Sequence, residues 1–335
     1  MSSIDVIVPC YRYGQYLREA VESVLSQPVP NLRVLIIDDA SPDNTADVAG
    51  EFVLQDPRVS CIRHAENKGH IYTYNEGIAW AAADYLLLLS ADDYLLPGAL
   101  WHSVKLLDEH PQVGFTFGTA LELSNGGGIS FRPCPGTAEF QIMSGLEFIE
   151  LSGARNLVPT ATAVVRTKLQ QYLGGYRPEL PHSGDMEMWL RFAAHASVGT
   201  VLANQAVYRR HGANMSDGYT CNGWLLDLEQ RRSALDWFLR DCNDLLSDPA
   251  RLRCSLMSSL ARCAVGLAST AFNASEVEAS ARLREFALAI SPDIKRSSPW
   301  IRLALKRAVG PGAWTLMFGR TGGRTLADTV HRKLD

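Results

Sequence analysis

Two adjacent acids, Asp92-Asp93, stop an apolar run at residues 85–89. Alone, such a pair reads as a turn or as the cap of the helix that follows. Its chemistry allows more. A diphosphate carries concentrated negative charge that carboxylates repel. A hard divalent cation such as Mg2+ or Mn2+ resolves the conflict by bridging carboxylate and phosphate oxygens. It also stabilises charge building on a departing diphosphate. A second acidic pair, Asp38-Asp39, stops the apolar run at 32–37. An acid there can cap a helix, or hydrogen-bond a base or ribose as acids at strand ends do in nucleotide-binding folds.

The elements behind these pairs follow from periodicity. Residues 4–8 read as a strand ended by Pro9. Leu17, Ala20, Val21, Val24 and Leu25 mark one face of a helix that Pro28 and Pro30 end. The near-continuous apolar run at 32–37 suits a strand buried on both faces. A helix to about 55, a strand at 59–63, a helix around 71–79, a strand at 85–89, a helix from Pro97 to about 110 and a strand at 113–119 complete a βαβαβαβαβ order. Right-handed crossovers make this an open, mostly parallel sheet with helices on both faces. In such sheets ligands bind outside the carboxyl ends of the strands. Pro9-Cys10-Tyr11, Asp38-Asp39 and Asp92-Asp93 all fall at such ends, so they are expected to meet at one edge.

Beyond a glycine-rich loop at 125–128, the pattern changes to a helix at 142–151, a strand at 162–165, a turn at Gly174-Gly175-Tyr176, a helix at 185–195 and a strand-like stretch at 198–210. From about Trp224 the chain is helical. The expected division is a domain at 1–230 and a helical C-terminal region at 231–335.

With 335 residues, 47% of them hydrophobic, the chain can bury a large core. Its net charge of −4 gives no global pull toward nucleic acid. The start lacks signal-peptide character and no apolar run is long enough to span a bilayer, which points to the cytoplasm. Seven scattered cysteines form no Cys-x-x-Cys pair, so reduced thiols are expected, without a disulfide framework or zinc site.

Several ordered motifs carry a resemblance. They are Val6-Ile7-Val8-Pro9-Cys10-Tyr11-Arg12, the stretch from Ala20 to Gln27, and Leu35-Ile36-Ile37-Asp38-Asp39-Ala40-Ser41. Asn67-Lys68-Gly69, Asn75-Glu76-Gly77 and the stretch from Ala83 to Tyr94 continue it. Together, over about residues 4–215, they resemble the inverting glycosyltransferases of family 2, which have the GT-A fold. The resemblance implies a nucleotide-sugar donor. Pro9 and Tyr11 would form the base pocket, with Tyr11 stacking on the base. Asp39 would bind base or ribose, Asp92 the ribose or donor sugar, and Asp93 the metal, Mn2+ or Mg2+.

Two departures stand out. Many relatives have Asp-x-Asp-Asp where this chain has Ser90-Ala91-Asp92-Asp93; the last two acids remain, and metal binding is expected to survive. Many also carry an Arg where Tyr74 stands here. Arg63, His64 or Lys68 could supply that charge near the diphosphate.

The acceptor half needs a base, because an acceptor hydroxyl must lose its proton as it attacks. In Ser183-Gly184-Asp185-Met186-Glu187, Asp185 takes the position of the family's base, although an acid there also suits a helix cap. Glu187 is a second candidate. His211, in Tyr208-Arg209-Arg210-His211, takes the place of a residue that joins the metal or diphosphate, and Arg209 or Arg210 would add phosphate contact. Trp189 reads as core.

The tail from Lys295 onward interleaves nine Lys/Arg with aromatic and aliphatic residues. It reads either as a solvated helix or as a peripheral contact to an anionic membrane. The acceptor could then be a lipid-linked glycan; another sugar or a protein is equally open. Two other functions make different demands on the sequence. A sugar-nucleotide nucleotidyltransferase should show a Gly-rich basic loop after the first strand, where this chain has Pro9-Cys10-Tyr11-Arg12-Tyr13-Gly14. A catalytically dead glycan-binding protein should lose its metal and base acids, and here Asp93 and Asp185 are present.

Overall fold

The computed structural model describes residues 2–124, 138–212, 214, 224–310 and 314. The glycine-rich loop at 125–128, part of the segment after His211 and almost all of the tail beyond 310 lie outside the described residues.

The first half has the expected alternation. Strands β1 (Ile4–Cys10), β2 (Leu32–Asp38), β3 (Val59–Arg63) and β4 (Tyr85–Leu88) alternate with helices α1 (Gly14–Leu25), α2 (Thr45–Gln55) and α3 (His70–Trp80). All four strands are parallel, in the spatial order β3-β2-β1-β4. β1 and β2 are buried almost throughout, which is why they read as continuous apolar runs. Asp5, inside β1, is fully buried and fully used. It takes two bonds from Arg33, at 2.8 and 2.7 Å, and one each from the amides of Ala82 and Ala83.

The second half is mixed. β6 (Val113–Ser124) does not pair with β4. β8 (Val164–Arg166) inserts between them, antiparallel to both. β9 (Ser197–Arg210) runs parallel to β6, and β7 (Phe140–Met143) and β5 (Tyr94–Leu95) pair antiparallel with β9. Helices α4 (Ala99–Glu109), α5 (Gly145–Ser152), α6 (Thr167–Leu173) and α7 (Gly184–His195) complete this half. The result is a mostly parallel mixed sheet flanked by helices.

Two elements differ from expectation. Residues 140–143 are a strand, where the sequence pattern predicts a helix from 142. The helix begins only after Ser144, whose hydroxyl and Glu147 form a capping box. β5, two residues long, lies between Asp93 and α4, so the acidic pair sits in a tight turn ahead of a strand.

The C-terminal region is helical, with helices Trp224–Asp241, Pro249–Asn273, Val277–Ile290 and Ser298–Val309. Two compact units result, residues 1–256 and 257–335. Cys10, Cys61, Cys242, Cys254 and Cys263 are free thiols; Cys134 and Cys221 lie outside the described residues.

Candidate active site

Three clusters form at the carboxyl edge of the strands. The first is built on Asp92-Asp93. The Asp93 amide donates to the Ser90 carbonyl at 3.0 Å and closes the turn. β5 then docks on β9 with Tyr94 opposite Val207. That pairing carries Arg209 and His211, at the end of β9, against the acids. Asp92 Oδ1 accepts from the Ser90 hydroxyl at 2.6 Å, and Asp92 Oδ2 lies 3.1 Å from His211 Nε2. Asp93 Oδ1 accepts from the Arg209 amide at 3.0 Å. The structure thus sets His211 directly on Asp92, and backbone on Asp93. Both acids are buried. Burial, then the neighbouring Asp92 charge, pushes the Asp93 carboxyl well above the usual carboxylate range.

Residues of α1 support this cluster. The Tyr16 ring stacks on His211 at 5.2 Å, and Tyr13 meets the same imidazole edge-on at 5.4 Å. The Arg209 guanidinium lies 4.5 Å over Tyr16 and bonds both Glu19 and the Asp92 carbonyl. Arg209 is therefore buried in structural contacts, while Arg210 pairs with Glu122 at 3.5 Å.

The second cluster surrounds Asp39. Its amide donates to the Cys10 carbonyl at 2.9 Å, which ties it to the end of β1 beside Pro9 and Tyr11. Tyr11 is 42% exposed, with the Arg12 guanidinium 5.9 Å from its ring centroid. Arg12 follows with φ of 63°, a left-handed turn in which its amide donates to the Ser41 hydroxyl at 3.0 Å. Asp39 accepts from the amides of Lys68 and Gly69, at 2.8 and 2.9 Å, and meets His64 Nδ1 at 2.6 Å. The three basic residues considered for the diphosphate all have partners here. Arg63, 58% exposed in its side chain, pairs with Asp38 at 3.3 Å. His64 bridges Asp39 and Glu76. The Lys68 ammonium lies over the Tyr72 ring at 4.4 Å. Arg63 also stands on edge strand β3, three strand spacings from β4, on the order of 14 Å from the acid pair's strand.

The third cluster holds Asp185, in the first turn of α7. Asp185 Oδ2 accepts from Asn156 at 2.8 Å and from the Thr160 hydroxyl at 3.1 Å; Oδ1 accepts from the Met186 amide at 2.9 Å. Burial raises its pKa, against the opposing hydrogen bonds and the charge of His182. Glu187 has a different fate. It is fully buried between Arg177, at 3.1 Å, and Arg191, at 2.8 Å. Trp189 stacks on Phe115 at 5.3 Å in the core.

Tyr74 stands on α3. The charges of Asp185, Asp92 and Asp93 all bear on its phenol and, after burial, push its pKa up. Its ring also meets Tyr176 at 5.4 Å. Behind it, Asn75 makes two bonds to the Tyr176 backbone, at 2.9 and 2.7 Å. That side chain fixes the turn leading to Asp185. Among the described residues, no group of three or more His, Cys, Asp or Glu is arranged to hold a metal ion.

Residues 5–171 match the family model described as Glycosyl transferase family 2. The chain belongs to this glycosyltransferase family. Family 2 is consistent with its relatives. Over 91 residues the chain is 40% identical to glycosyltransferase GlyG of Streptococcus pneumoniae, covering 27% of this chain and 30% of GlyG. It thus spans less than a third of the length of that relative. Among solved structures, TarS of S. aureus in complex with UDP-GlcNAc has a TM-score of 0.55 at 15% identity, covering 88% of this chain and 92% of TarS 1–349. The mannosyltransferase PcManGT of Pyrobaculum calidifontis, in complex with GDP-Man and Mn2+, has a TM-score of 0.51 at 16% identity, covering 95% of this chain and 88% of that one. At these identities the likeness establishes the GT-A fold and no more.

In this family 2 chain, sequence reasoning missed Tyr13, Tyr16, Asn75 and Asn214 as parts of the site. Asn214 accepts the His211 amide at 2.6 Å and donates to the Arg209 carbonyl at 2.9 Å, which holds the end of β9 in place. The Tyr13–Tyr16 spacing, beside a helix start at a strand end, was the one available signal for the two rings. Asn75 and Asn214 both lie within family-like motifs, but residue type and spacing assign neither a role.

Proposed function

We propose that the chain is an inverting glycosyltransferase that moves a sugar from a nucleotide-diphosphate donor to an acceptor hydroxyl, in cell-surface polysaccharide or glycan assembly. The observation that carries this reading is the pairing of β5 with β9, which sets His211 3.1 Å from Asp92 at the strand ends, in a chain whose residues 5–171 match family 2. A base and a charge-bearing donor site must share one cleft for direct displacement.

Asp185 would take the acceptor proton on its carboxylate. The acceptor oxygen forms its bond to the anomeric carbon as the bond to the nucleotide diphosphate breaks, so configuration inverts in a single displacement. Asn156, Thr160 and the Met186 amide orient the Asp185 oxygens. Pro9, Tyr11 and Asp39 would hold the nucleoside, and Asp92 the ribose or sugar. Arg63, paired with Asp38, would reach the donor only by leaving that partner. The transferase domain would occupy residues 1–230, with the helical region at 231–335.

The donor set fits a divalent metal. Two buried acids side by side disfavour their own double charge, and burial already drives Asp93 toward its neutral form. Asp93 and His211 would be the residues that hold the metal. When bound, such an ion would neutralise charge developing on the leaving diphosphate.

Membrane contact belongs to the same reading. In the helix Ser298–Val309, Ile301, Leu305 and Val309 are exposed along one face, at 49%, 56% and 42%. Arg302 and Arg307 lie on the same helix. Among the described residues, no helix is long and apolar enough to cross a membrane. A peripheral contact would suit a lipid-linked acceptor.

The test is a panel of UDP-, TDP- and GDP-sugars with Mn2+ or Mg2+, scoring nucleotide diphosphate release with and without acceptors. Release that depends on metal and donor supports the reading. If no donor is bound or hydrolysed with metal present, the enzyme reading is lost.

A further inference from the structure

Both ring nitrogens of His64 face carboxylates. Nδ1 is 2.6 Å from Asp39 Oδ1, and Nε2 is 2.6 Å from Glu76 Oε2. The residue is only 6% exposed, so water does not supply alternative partners. An ionised carboxylate only accepts. A neutral imidazole has one N–H and one lone pair, so one of these contacts would set lone pair against lone pair. The imidazolium donates to both.

Asp39 is correspondingly constrained. Its Oδ1 accepts from His64 and from the Lys68 amide, and its Oδ2 from the Gly69 amide. A carboxylate offers about four acceptor sites. The remaining one, on Oδ2, can take a hydrogen-bond donor such as a base N–H or a ribose hydroxyl.

We propose that His64, held as an imidazolium between Asp39 and Glu76, is a positioning residue that fixes the Asp39 carboxylate for the donor nucleoside. This rests on the nucleotide role proposed above for Asp39. His64 itself touches no reacting atom. It turns Asp39 and neutralises a carboxylate that would otherwise face an anionic ligand beside two further acids.

The charged surroundings agree. From the loop after β2 the ring meets Asp39, and from α3 it meets Glu76, with the Tyr72 ring edge-on at 5.7 Å. Through its backbone, His64 donates to the Asp38 carbonyl at 2.9 Å, and the Asp38 side chain is paired with Arg63. The Lys68 ammonium is turned to the Tyr72 hydroxyl, 3.2 Å away. Burial opposes the charged ring, but the hydrogen bonds and charges of Asp39 and Glu76 outweigh it and hold the pKa above the ordinary histidine value. Below that raised pKa the clamp is complete. As pH rises through it, the proton leaves, one contact turns repulsive, and Asp39 loses its set orientation.

Calorimetric titration of UDP and GDP with Mn2+ into the wild-type protein, His64→Gln and Glu76→Gln, between about pH 6 and about pH 9, tests this. The nucleotide that binds the wild type should weaken on the alkaline side. His64→Gln should bind about tenfold more weakly at neutral pH and lose the alkaline limb. Glu76→Gln removes one anion from the ring and should shift that limb to lower pH. A merely structural role would not move a limb, and this readout stands even if His64→Gln folds poorly. Unchanged affinity with an unchanged profile in His64→Gln, or a fixed limb in Glu76→Gln, overturns the positioning role alone. A wild-type protein that binds neither nucleotide at any pH overturns this role together with the donor-site reading.

Discussion

At the residue scale, the chemistry turns on carboxylates in unlike settings. Asp185 is raised by burial yet keeps three hydrogen bonds that favour its ionised form. Asp185→Asn should reduce transfer by about 10²- to 10⁴-fold while leaving nucleotide binding near the wild-type value, read by turnover and calorimetry. An active variant would remove Asp185 from the base role. Because a base works ionised, a raised pKa moves the acid limb of kcat to higher pH than an ordinary carboxylate gives. Thr160→Val deletes a bond that lowers the Asp185 pKa. It should shift that limb further upward in a pH–kcat profile, and a downward shift would contradict the assignment. Acids at strand ends were legible because their type and place are local. The rings of Tyr13 and Tyr16 were not, because their partner His211 lies nearly two hundred residues away.

At the element scale, Asn75-Glu76-Gly77 shows why a short motif can be visible before its reason is. Asn75 ties α3 to the Tyr176 backbone, Glu76 reaches His64, and Gly77 lets α3 close on β1. A Cβ at Gly77 would stand 2.4 Å from Ile7 Cγ2, a stiff side chain in the core. Gly77→Ala should therefore destabilise by about 1–3 kcal/mol in denaturant unfolding, despite the better helix propensity of Ala. An unchanged midpoint would mean that α3 can withdraw from β1 at no cost. Strand positions in the first half followed from apolar runs. The insertion of β8 between β4 and β6 did not, because an alternating or apolar pattern fixes which faces are buried and leaves the neighbour unspecified. The strand at 140–143 was misread as helix, although Ser144 and Glu147 carry a capping-box spacing that marks the true start.

At the scale of the whole molecule, the sheet brings the three acid clusters to its carboxyl edge, and the C-terminal unit contributes an exposed apolar stripe on a basic helix. If that stripe meets a membrane, the protein should co-sediment with vesicles rich in anionic lipid and release as salt rises. Ile301→Glu with Leu305→Glu should weaken sedimentation at unchanged nucleotide binding. Equal sedimentation of the double variant would move the contact elsewhere. Trp300 and Leu303, apolar neighbours in sequence, are buried and take no part in this surface.

The sequence by itself determined the alternating parallel half, its buried strands, the acids at their ends and the family to which the chain belongs. Those features rest on residue type and short-range period, which need no knowledge of distant partners. Tertiary structure decided what each charge does. It set His211 on Asp92 through the pairing of β5 with β9, enclosed Glu187 between two guanidiniums, turned Arg63 to Asp38 and placed His64 between two carboxylates. The role of a charge depends on what lies within a few ångströms, and in this fold those neighbours come from elements far apart in the chain.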